Sequence, residues 1–497
     1  MLQMNPVLLS SFICYLTIIL SIAFLAYYIT RNLADFVLGG RQLGGPVAAL
    51  SVGTADMSTW LLLGLPGAVF VFGLNQIWLP IGLTLGAFVS WRWVAKPLRV
   101  FSEQANDSLT IPAFLAHRFF EQNGVLRMLG AIVTLFFFAV YTAAGLVAAA
   151  VLLQEFNIPF GKALLISTAI IAGYTVIGGF LALSWAALFQ GILMLICLLT
   201  IPFVASQNYG GWGKIIEQIS VHGPQHLDPF HDFNGVIFVN LMAWGLGYLG
   251  APHILVRFMA VSSTADIPVA RRICLSWMIL SLLGAVLTGF VGIAYFYEHD
   301  INPESIFMVF SQSLFSPWIA GALFAAVLSS IMCAIDAQML VSSSALTEDV
   351  YHRFFRKEAS QKELLWVARL GIIMIAAITL YWAFHRERAV MTLVAFAWAG
   401  LGASFGPAVI GALFWRRMTA RGAMTGMLLG ALTVVFWQYN STESGLFSFY
   451  EIIPGFLLGT VGVIIGSLLD APPIVPILKQ FDAAWTAIRQ SPNERSQ

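Results

Sequence analysis

The sequence predicts an all-α polytopic membrane protein, and three observations carry that prediction. Of 497 residues, 59% are hydrophobic and only 10% charged, against roughly a quarter charged in soluble domains. Apolar runs of about 20 residues or more recur along the whole chain, each long enough to cross about 30 Å of hydrocarbon as a helix. The basic residues also sort by side. With the N-terminus outside, 21 of the 25 Lys and Arg fall in alternate loops and the C-terminal tail, leaving only Lys162, Lys214, Arg386 and Arg388 opposite. Positive charge is retained on the cytoplasmic side, so the expected topology is N-terminus outside and C-terminus cytoplasmic, as in a bacterial inner membrane.

In order, thirteen transmembrane helices are expected, at residues 6–30, 44–72, 76–97, 125–153, 158–180, 182–205, 234–256, 273–297, 315–345, 365–385, 389–415, 422–439 and 450–470. The first run is too long for a signal-peptide core, follows no basic segment and lacks a small-residue cleavage site, so it reads as a retained helix. Two spans are interrupted by their own residues. The second, LSVGTADMSTWLLLGLPGAVF, carries glycines, hydroxyls, an aspartate and a proline; the seventh, LMAWGLGYLGAPHILVRF, is again Gly-rich with a proline. Gly/Pro-interrupted spans at matching positions of two five-helix halves point to an inverted-repeat transporter with its site at the two breaks. The expected organisation is a first helix and loop over 1–43, repeats over 44–232 and 233–421, two closing helices over 422–470, and a tail over 471–497. That tail is polar and is expected to be poorly ordered.

Composition also excludes. A net charge of +1 with no basic cluster apart from the loops argues against nucleic acid. Cys14, Cys197, Cys274 and Cys333 have neither metal-ligand spacing nor an obvious disulfide mate, and read as small packing residues. An intramembrane enzyme would need a paired-acid, Ser/His or HExxH-like constellation, and none occurs; His253 is the nearest candidate. A channel suits the two broken helices less well than occlusion of a solute does. A transporter-like sensor would need a long signalling domain, for which about 27 residues of tail do not suffice.

Two carboxylates lie deep in apolar spans, Asp56 and Asp336, and an intramembrane acid is a functional residue by default. Asp56 sits in the break of the second span, where a carboxylate can face a cation; it can also cap the half-helix that begins near Ser58.

The stretches FVLGGRQLGG, SVGTADMSTWLLLGLPGAVF, GYTVIGGFLALSW, AWGLGYLGAPHILVRFMA, SSSALTEDVY and ASQKELLWVARL resemble the sodium/solute symporter family, nearest its proline-transporting branch. The likeness runs from the first helix to the last and spares only the tail. It implies a leucine-transporter-like core of ten helices with one before and two after. It implies import of L-proline by cation symport, with sodium as the coupling ion and no cofactor or obligate protein partner. A proton-coupled proline symporter, or an importer of a related small amino acid or betaine, is the alternative.

By the same resemblance, Ser58, Trp60, Tyr141, Trp244, Tyr248 and Pro252 match the substrate region. Asp56 matches an acid required for cation-dependent transport, and Arg41 and Gly64 match gating positions. Gly64 and Gly247 would allow close backbone approach. The family's sodium site joins carbonyls near Thr54 and Met57 to a carbonyl and two hydroxyls on the eighth core helix, here in the Ser330 region. The hydroxyl positions are held by Cys333 and Ala334, and an acid that some relatives carry on the fifth core helix is Ala187. Asp336 stands one turn beyond Cys333, and residues 333, 336, 337 and 340 share a helical face. Three readings of Asp336 stay open: a sodium ligand in a remodelled site with Thr54, Asp56 and Met57, a proton carrier, or a structural acid.

Overall fold

The structure is a computed structural model that describes residues 6–231, 234–299, 301–385, 390–442 and 445–490. Arg386, Arg388 and Arg495, which enter the charge count above, lie outside the described residues. Among the described residues the long elements of the chain are all helices. Its helices are α1 (Pro6–Ile29), α2 (Leu33–Leu38), α3 (Gly45–Asp56), α4 (Leu65–Phe72), α5 (Trp78–Val89), α6 (Ala95–Gln104), α7 (Ile111–Arg118), α8 (Val125–Gln154), α9 (Phe160–Tyr209) and α10 (Trp212–His222). These are followed by α11 (Gly235–Ala243), α12 (Pro252–Met259), α13 (Ile267–Phe296), α14 (Ile306–Leu314), α15 (Pro317–Ser344), α16 (Gln361–Phe384), α17 (Val390–Phe414), α18 (Ala420–Tyr439), α19 (Ile452–Leu469) and α20 (Val475–Gln490).

Helix starts follow local chemistry. Asn32, Thr110, Ser360 and Thr419 each accept a hydrogen bond from a first-turn N–H of α2, α7, α16 and α18, satisfying a donor that has no intrahelical partner.

By length and composition, ten helices among the described residues can cross a membrane, or eleven if the bent pair Gly235–Leu249 and Pro252–Met259 is one span. Thirteen are expected from the sequence. The counts part at Trp60–Gln104 and Phe160–Tyr209, 45 and 50 residues long, each of which covers two of the expected apolar runs. A straight 50-residue helix would measure about 75 Å, more than twice a bilayer, and α9 is kinked at Gly179, whose φ is 56°. A Cβ there would meet the Phe36 ring at 2.6 Å, so both the backbone angle and the packing require glycine.

The layering follows burial. The apolar windows of α15 and α17 are 83% buried inside the protein, against 28% for α1 and 33% for α18 and α19. The first pair forms the centre and the others face lipid.

The tail departs from expectation. Residues 475–490 form α20, whose Ile477, Phe481, Ala484 and Ile488 are buried. Their spacing of three or four residues makes one apolar helix face, which lies against α6 through Phe101 and Phe481, ring centroids 5.6 Å apart. Trp485 donates to the Leu413 carbonyl at 3.0 Å. Fully buried Arg118 lies over the Phe481, Phe119 and Phe101 rings at 5.0, 5.2 and 5.8 Å, an arrangement in which ring faces attract the cation. Burial lowers its pKa to about 10. Phe481→Ala is expected to destabilise the protein by about 3 kcal/mol, read as a lower melting temperature of the purified protein. An unchanged melting temperature would show that α20 is not docked.

Candidate functional site

The centre of the molecule holds two interruptions. In the first, α3 ends at Asp56, and Met57 leaves the helix with φ −75° and ψ 69°. The chain then resumes through Trp60–Gly64 into α4. In the second, α11 passes into a tight turn over Trp244–Leu249, and the path bends by 42° before α12. Freed backbone groups in a membrane interior need partners from the protein, and they have them here. The Asp56 carbonyl accepts from the Ser58 N–H at 2.8 Å and the Trp60 indole at 3.1 Å. The Trp244 carbonyl accepts from the Trp398 indole at 2.8 Å, and the Tyr248 carbonyl from the Ser90 hydroxyl at 3.0 Å.

The interruptions are joined directly, because the Tyr248 hydroxyl donates to the Asp56 carboxylate. Trp60 and Trp244 lie tilted against each other with centroids 6.4 Å apart, Trp244 stacks on Tyr450 at 5.3 Å, and Tyr248 meets Trp398 edge-on at 5.6 Å. Tyr141 is buried with the Ser58 hydroxyl beside it, and Pro252 begins α12. The substrate-region residues expected from the sequence therefore surround the two breaks. A cavity of about 240 Å³ opens beside the first break, lined by Trp60, Gly64, Glu155, Asn302, Glu304 and Met391. A Cβ on Gly247 would stand 2.1 Å from the Trp398 ring, so glycine is needed there for approach. One on Gly64 would stand 3.4 Å from Met391 Sδ and Trp60 Cβ, a spacing close to ordinary contact.

The two buried acids have different neighbours. Asp336 is 1% exposed and hydrogen-bonds the Thr175 hydroxyl of α9 at 2.6 Å. One turn back, Cys333 donates to Gln190 of α9 at 2.7 Å, and Gln190 donates to the Tyr15 hydroxyl of α1 at 2.8 Å. The face carrying 333 and 336 thus turns to α9, while Asp56 turns to the second break. Cys333 is a hydrogen-bond donor in a polar chain rather than only a packing residue, and Thr54 lies beside it. Thr54 and Ser330 return their hydroxyls to their own helices, and Met57 is fully buried. Among the described residues no three His, Cys, Asp or Glu side chains cluster as a metal site.

The opposite end is closed by a polar network that sequence reasoning saw only at Arg41. Gly39, Gly40 and Arg41 all have positive φ, and the turn they make carries the Arg41 side chain under the bundle. Its guanidinium donates to Asp107 at 2.6 Å, to Ser102 at 3.1 Å and to the carbonyls of Ser108 and Met259 at 3.0 and 2.6 Å. Leu43 and Val261 pair as an isolated bridge, so the near ends of α3 and α12 are tied together.

Beyond the 105–108 turn, His117 Nε2 lies 2.6 Å from Arg127, which can only donate, and Nδ1 lies 3.1 Å from the Ala105 carbonyl, which can only accept. The ring is therefore neutral with its proton on Nδ1. Arg127 continues to Glu348 and Asp349 at 3.5 and 3.9 Å, and Asp349 accepts from Thr110 at 2.8 Å. Asp349 is a fully buried acid that the sequence analysis passed over. Its position in SSSALTEDVY, at the end of an apolar run, hid it. Burial, then the Arg127 charge, push the His117 pKa down to about 4, and burial lowers that of Arg41.

The model of the sodium:solute symporter family matches residues 36–430. The sodium/proline symporter of Escherichia coli (strain K12) is 44% identical over 498 residues, covering 99% of this chain and 98% of that protein. The high-affinity proline transporter of Bacillus subtilis (strain 168) is 45% identical, covering 93% and 98%. Among solved structures, a sodium-coupled sialic acid symporter in a substrate-bound outward-open state superposes with a TM-score of 0.81 at 16% identity, covering 94% of this chain and 99% of that one. The nucleobase-cation-symport transporter Mhp1 does so at 0.55 and 14% identity, covering 91% and 99%.

The depressed His117 pKa has a stability consequence. An unfolded histidine titrates near 6.5 and the folded one near 4, so the unfolded state binds the extra proton first and stability falls as pH drops through that window. Between about pH 7 and pH 5 the wild-type melting temperature is expected to fall more steeply than that of His117→Gln. Parallel curves would remove His117 from the network.

Proposed function

The chain belongs to the sodium:solute symporter family, and from that premise we propose that it is a secondary transporter, not an enzyme, that imports L-proline together with sodium by alternating access. The observation that carries this reading is the hydrogen bond from Tyr248 to Asp56, which couples the break suited to a cation to the break suited to the solute. Near-full-length identity to proline symporters supports the choice of substrate.

Proline is a zwitterion with a compact apolar ring. The N-terminal end of α12 favours its carboxylate. The rings of Trp60, Tyr141, Trp244 and Tyr248 enclose the pyrrolidine and face its ammonium, with Ser58 and Pro252 completing the wall. Sodium is a hard cation that takes oxygen ligands, and the first break offers the Asp56 carboxylate with the backbone of Thr54 and Met57. Ser330, Cys333 and Asp336 form the adjoining face of α15. Sodium arriving at Asp56 competes for the carboxylate that Tyr248 holds, and Tyr248 is thereby freed for solute. Occupation of one break thus changes the other. The Arg41 network closes one end while the cavity beside Trp60 opens the other, which corresponds to a conformation facing outward.

In this reading the N-terminus lies outside and the C-terminus in the cytoplasm of a bacterial inner membrane. Residues 44–232 and 233–421 form the two inverted repeats, flanked by 1–43, 422–470 and 471–497.

Reconstituted in liposomes, the protein is expected to accumulate labelled proline against its gradient when sodium is directed inward. Equilibration without accumulation would instead indicate a facilitator. Asp56→Asn keeps the shape but removes the charge, and is expected to weaken sodium stimulation about tenfold or more, the scale of a hydrogen bond to a charged group. With sodium and proton gradients imposed separately, Asp336→Asn should alter the response to one of them; an unchanged response to both leaves Asp336 a structural acid.

A further inference from the structure

His253 is the second residue of α12, immediately after the second break. It is fully buried, and neither Nδ1 nor Nε2 has a hydrogen-bond partner among the described residues. Buried polar groups are nearly always paired, so an imidazole with both nitrogens bare is an unfinished arrangement. Its ring is held in place on three sides, by Phe138 at 5.4 Å, Trp398 at 6.2 Å and Tyr141, perpendicular, at 6.3 Å. Its carbonyl is gripped by Arg257 Nη1, and Arg257 Nε is fixed by Ser51 at 2.8 Å. Main chain and ring are therefore oriented, while both ring nitrogens are left without a partner. The buried Ser58 hydroxyl lies beside the same Tyr141 ring, so polar groups from both breaks gather around one tyrosine.

We propose that His253 contacts the transported solute, donating a ring N–H to its carboxylate. The start of α12 already favours an anion at this point, and the imidazole adds a directed donor on the same turn. The other ring nitrogen is left for a water that enters with the solute. A site built to donate to a group discriminates against analogues in which that group is altered, because the donor is then poorly paired. His253 is thus a specificity residue for the carboxylate, and this inference rests on the transporter reading above.

Proline uptake and its inhibition by prolinamide, whose carboxylate is replaced by a neutral amide, test it in proteoliposomes. His253→Phe is expected to raise the KM for proline at least tenfold with little change in kcat, while the inhibition constant of prolinamide stays within about twofold of the parent's. His253→Gln, which retains a donor, should recover much of the proline affinity. An unchanged KM in His253→Phe overturns the proposal, as does an equal loss of affinity for proline and prolinamide. Should His253→Phe not fold, the Gln variant decides: with the protein monodisperse, a proline-to-prolinamide preference identical to the parent's overturns it. Absence of proline transport by the parent would count against the transporter reading instead.

Discussion

Two helices broken in the middle of a membrane create free backbone N–H and C=O groups where no water reaches, and the rest of the structure follows from satisfying them. The Tyr248 hydroxyl on the Asp56 carboxylate is the central piece, since it spans from one break to the other. Around it, two tryptophan indoles and a serine hydroxyl cap carbonyls released by the breaks. In a medium without competing water, losing such a partner leaves a buried polar group at full cost. The breaks therefore persist only while the aromatic residues that line them stay in position. The same side chains that keep the backbone satisfied line the space between the breaks, where the proposed function places the solute.

A transporter with a site in its middle must close one end at a time. The closed end is built almost wholly from charge and backbone: Arg41 reaches four partners, and a line of contacts runs through the 105–108 turn, His117 and Arg127 to the acids at 348 and 349. Hydrogen bonds of this kind exchange for bonds to water when the end opens, so the net cost of breaking each is modest. The other end holds a cavity beside Trp60. The asymmetry between a polar latch and an open vestibule gives one chain two faces of different character. α20 adds a further brace at the latched end, joining α6 to the last turn of α17.

Much of this was legible in the sequence for physical reasons. Hydrocarbon tolerates few charges, so Asp56 and Asp336 stood out; broken helices need Gly and Pro, so the two spans announced themselves; and basic loops report sidedness. Asp349 did not stand out, because an acid at the end of an apolar run looks like a surface residue until its Thr110 and Arg127 partners are seen. The tail misled for a related reason: its polar composition concealed an apolar face at helical spacing. Nothing local in the sequence links His117 to Arg127, whose guanidinium donates to the imidazole.

The sequence by itself determined the helical class, the two breaks and the residue types around them, because each follows from the solvent the chain must inhabit and from local spacing along it. Only the tertiary structure decided which acid faces which partner. Asp56 and Asp336 both lie within apolar spans, yet one meets a tyrosine from the second break and the other a threonine of α9. Those pairings join residues 192 and 161 positions apart. Contacts at such range depend on how whole helices pack, and packing depends on the summed shape of many side chains rather than on any single motif.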